Sequence, residues 1–384
     1  MKHQPLQLPL LLLLTVLLVQ LSAFWLPGVA EPRAVEVRGV WMTANDMPIL
    51  RDRQRLGIAL DQLSRSGFNT IYPVMWNSGM TYYPSVAMQR RGFQSFTFRG
   101  LQGQDLLEEL VSQGHARGLR VIPWFEFGFM VPPGSEIARL HPDWLSRTRT
   151  GGTTSISAAG EVAWLNPFHP EVKTFLSELV LEVVSGYDAD GLQFDDHFSL
   201  PNAFGYDPFT VEQVRLETKK PPPAEATNPA WVQWRADRIT AFLAELRQVI
   251  RSRKPQVLVS ISPNYHDFAF KLQLQNWLVW VRRGLIDEVV VQVYRPDLES
   301  FASELNRPEL EASRTLLPTA IGIMAGQRQS PVPMERIFAQ AQAARQRGLG
   351  VAFFSFESLW ERSEEPVETR LQGFRTLLAS PGGS

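Results

Sequence analysis

An apolar, strand-like run from Asp190 to Phe194 is followed directly by two carboxylates and an imidazole, Asp195, Asp196 and His197. Charged groups this closely packed are costly to bury and are usually retained for chemistry. Such a group can transfer protons, attack or stabilise an electrophilic carbon, or hold a metal ion. The sequence therefore places the first candidate catalytic residues, Asp195 and Asp196, at the end of a predicted β-strand.

Strand-like segments recur along the chain, and each is followed by a stretch with helical periodicity. This alternation over most of the 384 residues predicts a single (β/α)8 TIM barrel, a fold of about 250 residues that long loops can enlarge. A doubly wound sheet would show a Gly-rich turn after its first strand, whereas this chain has Thr43-Ala44-Asn45-Asp46 there. The eight predicted strands begin near Arg38, Thr70, Leu119, Asp190, Val257, Glu288, Leu316 and Leu349.

Active sites of such barrels are built at the carboxyl ends of the strands, so the residues that end each strand are the candidates. Many of them are aromatic side chains or amides, which suit a hydroxyl-rich ligand. Long inserts follow the second, third and fourth strands, at 77–103, 127–168 and 198–228, and we expect them to wall one side of a cleft. The predicted substrate-binding residues are Trp41, Trp76, Trp124, Gln193, His197, Asn264, Gln292 and Tyr294.

The N-terminal segment has the pattern of a secretory signal. Lys2 gives a positive start, residues 8–19 form a short apolar core, and Gly28-Val29-Ala30 is a small-residue cleavage site. We therefore predict a signal peptide over residues 1–30, a single (β/α)8 barrel domain over 31–379 and a disordered tail over 380–384. The mature protein is expected in the periplasm or outside the cell, without stable membrane insertion.

Composition and net charge limit the classes of binding partner that we expect for this protein. The chain has a formal net charge of −1 and no basic patch interleaved with aromatics, so nucleic acid is not an expected partner. It contains no cysteine, so it has neither a disulfide nor a lipid-modified N-terminal Cys. With 44% hydrophobic residues, a core can supply the stability that disulfides would otherwise add.

Several segments, in order, resemble a known family: VRGVWMT, GFNTIYPVMWNSGMTYYPS, GLRVIPWFEFGF, HPDWL, WLNPFHPEV, YDADGLQFDDHF, VSISPN, VVVQVYR and GVAFFSFESLW. They are similar to the exported bacterial proteins called "family 10-like glycosylhydrolase", over about 37–360. The resemblance implies a TIM barrel acting on a polysaccharide, in particular on peptidoglycan glycan strands without stem peptides. Many members are lipoproteins, but this sequence lacks the Cys. The Gly-Leu-Gln-Phe-Asp pattern also resembles the fourth strand of several barrel glycosidases, which implies that Asp195 is the nucleophile and Gln193 a supporting group.

Glycoside hydrolysis also needs a carboxyl group that protonates the leaving oxygen. Side chains alternate along a strand, so we expect Asp195 and Asp196 to point apart, one to the barrel mouth and one to a loop, unless the chain leaves the strand between them. Glu126 and Glu357 end the third and eighth strands in aromatic surroundings that can raise a carboxyl pKa. Sequence leaves Glu126, Glu357 and Asp196 as alternatives for the acid, and an ion pair with Arg as the alternative role for either Glu.

Structural roles compete with each of these functional assignments. The Asp195-Asp196-His197 group is also suited to bracing a loop, and His197 is expected to bond loop backbone rather than act as a base. Core filling is the alternative for the Trp and Tyr side chains, and orientation of a neighbour is the alternative for Asn264 and Gln292.

Two other function classes compete with a glycosidase that needs no metal and no cofactor. One is a metal-dependent polysaccharide deacetylase, with Asp195, Asp196 and His197 joined by His169 or His266 as ligands. Against it, the sequence has no His-x-His pair and no HExxH helix. The other is a non-catalytic glycan-binding barrel, which would keep the aromatic residues but misplace a carboxylate.

Overall fold

The structure is a computed structural model that describes residues 36–93, 103–157, 159–327 and 330–379. The predicted signal peptide and C-terminal tail lie outside the described residues, and residues from Glu36 onward belong to one compact unit. Its centre is a sheet of nine parallel segments. These are Arg38–Met42, Thr70–Pro73, Arg120–Val121, Trp124–Phe125, Gly191–Asp195, Leu258–Ser262, Glu288–Gln292, Thr319–Met324 and Gly350–Phe354.

Two of the nine segments are consecutive parts of one strand, the third, which is interrupted at Ile122 and Pro123. Arg120–Val121 pairs with strand two and Trp124–Phe125 pairs with strand four, so the sheet closes on itself. Proline has no N–H to donate, which accounts for the interruption. The prediction of an eight-stranded barrel is therefore confirmed, and the strands begin close to their predicted positions.

Helices on the outside of the barrel bury one apolar face against the strands. In Pro170–Gly186 and Pro229–Arg253 the buried faces contain the predicted apolar residues, for example Phe175 and Phe242. The other outer helices are Arg53–Arg65, Leu106–His115, His266–Gln273, Trp277–Arg282, Leu298–Glu304, Pro308–Arg314, Met334–Arg345 and Val367–Ala379. In the part of the chain that the structure describes, no helix combines the length and apolarity needed to cross a membrane.

Long inserts follow strands two, three and four, as predicted. The first contains the hairpin of Trp76–Asn77 with Met80–Thr81 and the helix Val86–Arg90. The second contains the helix Glu136–Leu140 and an antiparallel sheet of Met130–Val131, Gly160–Trp164 and Thr154–Ser157. The third contains the helix Pro208–Thr218. Two short helices, Ala44–Asp46 and Met47–Leu50, follow strand one, and Phe356–Ser358 follows strand eight. A fourth short helix, Pro142–Trp144, lies in the second insert.

The barrel interior contains a chain of hydrogen bonds between buried polar side chains. The Gln193 amide donates to Ser260 Oγ at 2.9 Å, and Ser260 Oγ donates to Glu288 Oε1 at 2.9 Å. Tyr72 also donates to Glu288 Oε1, at 2.8 Å, and Arg120 lies 3.4 Å from the other Glu288 oxygen. A carboxylate that is only 1% exposed is stable there because its oxygens have these partners.

Gly128 allows close packing between the loops that follow strands three and four. Gly128 has a φ of +49°, and a Cβ at this position would collide with the backbone of His197. The absence of a side chain lets the next residue, Phe129, donate its N–H to the His197 carbonyl at 3.0 Å. This backbone contact fixes the turn that contains Asp196 and His197.

We predict that Gly128→Ala destabilises the protein by about 3 kcal/mol or more, because the new Cβ adds a backbone clash to an unfavourable left-handed φ. Gly118→Ala is the matched control, since Gly118 has a φ of +72° but nothing within 4 Å of its ideal Cβ. It should cost only about 1 kcal/mol. Equilibrium chemical denaturation measures both losses, and equal losses would mean that the contact with His197 is unimportant.

Candidate active site

Asp195 is the last residue of strand four, and Asp196 and His197 lie in the turn that follows it. The chain leaves the strand between the two aspartates, so the alternation of side chains does not extend to Asp196. Ligand-type atoms of the three side chains all lie within 4.8 Å of one another. The expectation that the two carboxylates point apart is therefore wrong, because the turn brings both to the same place at the barrel mouth.

Each aspartate accepts a hydrogen bond from a side-chain amide at the end of another strand. Gln292 Nε2 donates to Asp195 Oδ1 at 2.7 Å, and Asn264 Nδ2 donates to Asp196 Oδ2 at 2.7 Å. The backbone N–H of Asp196 donates to Asp195 Oδ1 at 2.9 Å. Gln292 and Asn264, predicted as substrate-binding residues, are thus placed where they orient the carboxylates. Whether they also contact substrate stays a prediction.

Asp195 lies in a strongly negative and buried environment. Its side chain is only 6% exposed. Burial raises the pKa of Asp195 well above its usual range, and the charges of Asp196 and Glu126 raise it further. Three carboxyl groups this close together cannot all be ionised without a large repulsion, so the group holds a proton.

Glu126, at the end of strand three, belongs to the same group. Asn77 Nδ2 donates to Glu126 Oε2, which leaves Oε1 available to carry a proton. Burial of its carboxyl raises the pKa of Glu126 to about 7, and the Asn77 hydrogen bond and His197 oppose this rise. A carboxyl group with that pKa is still substantially protonated at near-neutral pH, which is what a general acid requires.

Glu357, the other predicted candidate for the acid, is held in a different set of contacts. Asn45 donates to Glu357 Oε1 at 3.1 Å, and Arg362 lies 2.8 Å from Oε2. Its carboxyl lies near Asp46, whose pKa burial raises to about 7. The structure therefore groups Glu126, and not Glu357, with the two aspartates, and Glu357 has the Arg ion pair that the sequence left as its alternative role.

Three predicted tryptophans lie in the core in this conformation. Trp41 donates to Gln193 Oε1 at 2.7 Å, and Trp76 donates to the Gly128 carbonyl at 3.0 Å. Trp124 packs against Trp41, and its buried indole N–H has no partner among the described residues. None of the three is more than 2% exposed, so core filling describes them, and Gln193 belongs to the interior chain of hydrogen bonds.

Other aromatic side chains border the carboxylates. Tyr294 is half-buried, and burial together with the charges of Asp195, Asp196 and Glu126 raises its pKa. Sequence reasoning missed Tyr82, whose pKa is raised by burial and by the Glu126 charge, and Trp164, whose ring lies 6.4 Å from that of His197. Both lie in the inserts, so a search limited to the residues that end strands does not find them.

His197 is bonded to the loop backbone. Its Nδ1 lies 3.0 Å from the Glu126 carbonyl, and because a carbonyl only accepts, Nδ1 carries the hydrogen. That nitrogen is therefore engaged in a bond that metal binding would break. His266 contacts Asn276 Oδ1 at 3.0 Å, and His169 packs against Phe209, so among the described residues neither joins the Asp195 cluster.

Curated relatives resemble this chain over most of its length. Glycosyl hydrolase DigH of Escherichia coli (strain K12) is 25% identical over 323 residues, covering 72% of this chain and 69% of that protein. Glycosyl hydrolase YngK of Bacillus subtilis (strain 168) is 24% identical over 301 residues. That alignment covers 69% of this chain and 54% of YngK.

Solved structures share the fold at low sequence identity. The PgaB (BpsB) glycoside hydrolase domain from Bordetella bronchiseptica matches with a TM-score of 0.68 at 16% identity, covering 90% of this chain and 99% of that chain. The catalytic domain of β-amylase from Paenibacillus polymyxa matches with a TM-score of 0.60 at 10% identity, covering 91% of this chain and all of that domain. At these identities the likeness bears on the barrel fold alone.

Family membership rests on the sequence itself. The model of the family described as Glycosyl hydrolase-like 10 matches residues 36–344, which include seven of the eight barrel strands and all three carboxyl groups of the cluster. The predicted resemblance and enzyme class are thereby confirmed, and the chain belongs to the Glycosyl hydrolase-like 10 family of glycoside hydrolases.

Proposed function

We propose that this protein cleaves glycosidic bonds in a bacterial cell-wall polysaccharide, namely peptidoglycan glycan strands that lack stem peptides. The observation that carries the proposal is the grouping of Asp195, Asp196 and Glu126 at the carboxyl end of the barrel, each with its own amide donor. Glycoside hydrolysis uses two carboxyl groups in different protonation states. Repulsion within the cluster keeps one proton on it, and for the reaction we place that proton on Glu126 and the negative charge on Asp195, because the two N–H bonds to Asp195 Oδ1 favour its ionised form.

In the proposed reaction, Glu126 gives its proton to the glycosidic oxygen as the bond to the anomeric carbon breaks. The Asp195 carboxylate stabilises or attacks the positive anomeric carbon, and two N–H donors hold its Oδ1 in position. Asp196 contributes the second of those donors, while Asn264 fixes its own carboxylate. Water then supplies the new hydroxyl group of the sugar, and its remaining proton returns to the carboxyl cluster.

A polymer substrate fits the inserts that follow strands two, three and four. They place extra walls on the carboxyl side of the barrel, where an extended chain of sugars needs contacts beyond the cleaved bond. The DigH and YngK relatives carry the name glycosyl hydrolase. The choice of peptide-free peptidoglycan comes from the family resemblance of the sequence.

The first test uses peptide-free glycan strands and measures new reducing ends. We predict that Asp195→Asn lowers turnover roughly a thousandfold, since it removes the charge opposite the transition state while keeping the shape. Asp190→Asn is the matched control, because Asp190 lies at the amino end of the same strand and bonds the Val121 N–H; its turnover should stay within a few fold.

Near-normal cleavage by a folded Asp195→Asn protein would remove Asp195 from the mechanism. The deacetylase alternative predicts a different result in the same assay. If chelation abolished activity, zinc restored it and acetate was the product, the metal-dependent reaction would replace the glycosidase.

The second prediction concerns pH. Only protonated Glu126 can act as the acid, so kcat/KM should fall about tenfold per pH unit as pH rises above about 7. Glu126→Gln should abolish this basic limb together with most activity on glycan. An aryl glycoside whose leaving group needs no protonation should restore cleavage by the variant. If the fall of kcat/KM at high pH persisted in Glu126→Gln and disappeared in Glu357→Gln, the acid would be Glu357 instead.

We also propose that the protein acts outside the cytoplasm, because Lys2, the apolar stretch 8–19 and Gly28-Val29-Ala30 form a signal sequence. N-terminal sequencing of the protein from the periplasm or medium should find a start near Glu31. A mature protein that begins at Met1 would instead indicate a retained anchor.

A further inference from the structure

A second concave site lies on the rim of the barrel, away from the three carboxyl groups. It is a cavity of about 430 Å³, bordered by Arg147, His169, Phe209 and the start of the helix Pro208–Thr218. His169 immediately precedes the helix that leads from strand three to strand four, so the cavity lies on the carboxyl side of the barrel. The inserts after strands three and four form its walls.

One backbone hydrogen bond and one contact between side-chain rings link this cavity to the active site. Ser146, next to Arg147, donates its N–H to the Trp164 carbonyl at 2.8 Å. The ring of Trp164 in turn lies 6.4 Å from that of His197. Trp164 therefore lies between the cavity and the catalytic residues, in the insert that follows strand three.

Two polar groups of the cavity lack partners among the described residues. The half-buried Arg147 guanidinium forms no hydrogen bond or ion pair there, and His169 Nδ1 is buried with no hydrogen bond. Asp207 also borders the cavity and keeps its negative charge, but its carboxylate accepts from Ser146, Asn166 and Thr210 and forms no ion pair with Arg147. Asp143, the other acid at the cavity, is exposed and forms no ion pair with Arg147. The guanidinium of Arg147 therefore has N–H donors that no described group uses, and such donors are suited to the carboxylate of a ligand.

We propose that this cavity is a remote subsite that binds a sugar unit carrying a carboxylate. The planar guanidinium of Arg147 matches a carboxylate through two parallel N–H donors. The ring of Phe209, 5.0 Å from that of His169, and Pro208 provide apolar surface for the face of a pyranose ring. The proposal rests on the proposed function in one respect only, that the ligand is part of a glycan chain.

Binding is measured by titration calorimetry on the Asp195→Asn protein, so that no ligand is cleaved. The acidic probes are peptide-free peptidoglycan oligomers, whose carboxylate is a lactyl group, and oligouronides, whose carboxylate is on the ring carbon chain. Chitooligosaccharides of the same length are the neutral probe. Arg147→Ala should weaken binding of at least one acidic probe roughly tenfold and leave the neutral probe unchanged.

Arg149→Ala is the matched control, since Arg149 is exposed on the same loop and contacts only the Ala224 carbonyl among described residues. It removes the same charge and should change each affinity less than twofold. The acidic probe that depends on Arg147 identifies the carboxylate source. Equal effects of both variants, equal loss for the neutral probe, or no loss would overturn the subsite.

This result is separable from the proposed function. If wild-type protein cleaves no glycan but Arg147 still governs binding of an acidic probe, the subsite stands and the hydrolase proposal fails. If glycan is cleaved and Arg147→Ala binds every probe normally, the hydrolase proposal stands and the subsite fails.

Discussion

Mutual repulsion of three carboxyl groups is the constraint around which this barrel is organised. Asp195, Asp196 and Glu126 come from the ends of adjacent strands, and in the described residues no Lys or Arg side chain lies among them. Side-chain amides supply the needed hydrogen bonds instead. An amide donates without adding a full charge, so each carboxyl keeps a fixed orientation while the group can still hold a proton.

The amide donors require a closed barrel. Asn77 follows strand two, Asn264 follows strand five and Gln292 ends strand six, so the donors surround the aspartates from both sides. One layer below, Gln193 ties Trp41 to Ser260, and Glu288 connects Ser260 to Tyr72. This interior chain spans strands one, two, four, five and six. It holds the strand ends at the spacing that the carboxyl cluster needs.

Much of this organisation could be predicted from sequence because it follows periodicity and strand order. The alternation of strands and helices predicts the barrel, and the residues ending strands three and four predict Glu126 and Asp195. The turn at Asp196 could not be predicted, since it depends on a contact between Gly128 and His197, which are distant in sequence. The partners of the two glutamates have the same limit: Arg362 is close to Glu357 in sequence, but only the fold brings Asn77, which is 49 residues away, to Glu126.

Backbone contacts join the inserts after strands three and four into one mechanical unit. Phe129 donates to the His197 carbonyl, Tyr206 donates to the Arg147 carbonyl, and Thr148 forms a bridge with Phe204. Loop grafting between relatives therefore has to treat the two inserts as a single cassette. Exchange of one alone would leave backbone donors and acceptors facing a foreign surface, and it would disturb the turn that carries Asp196.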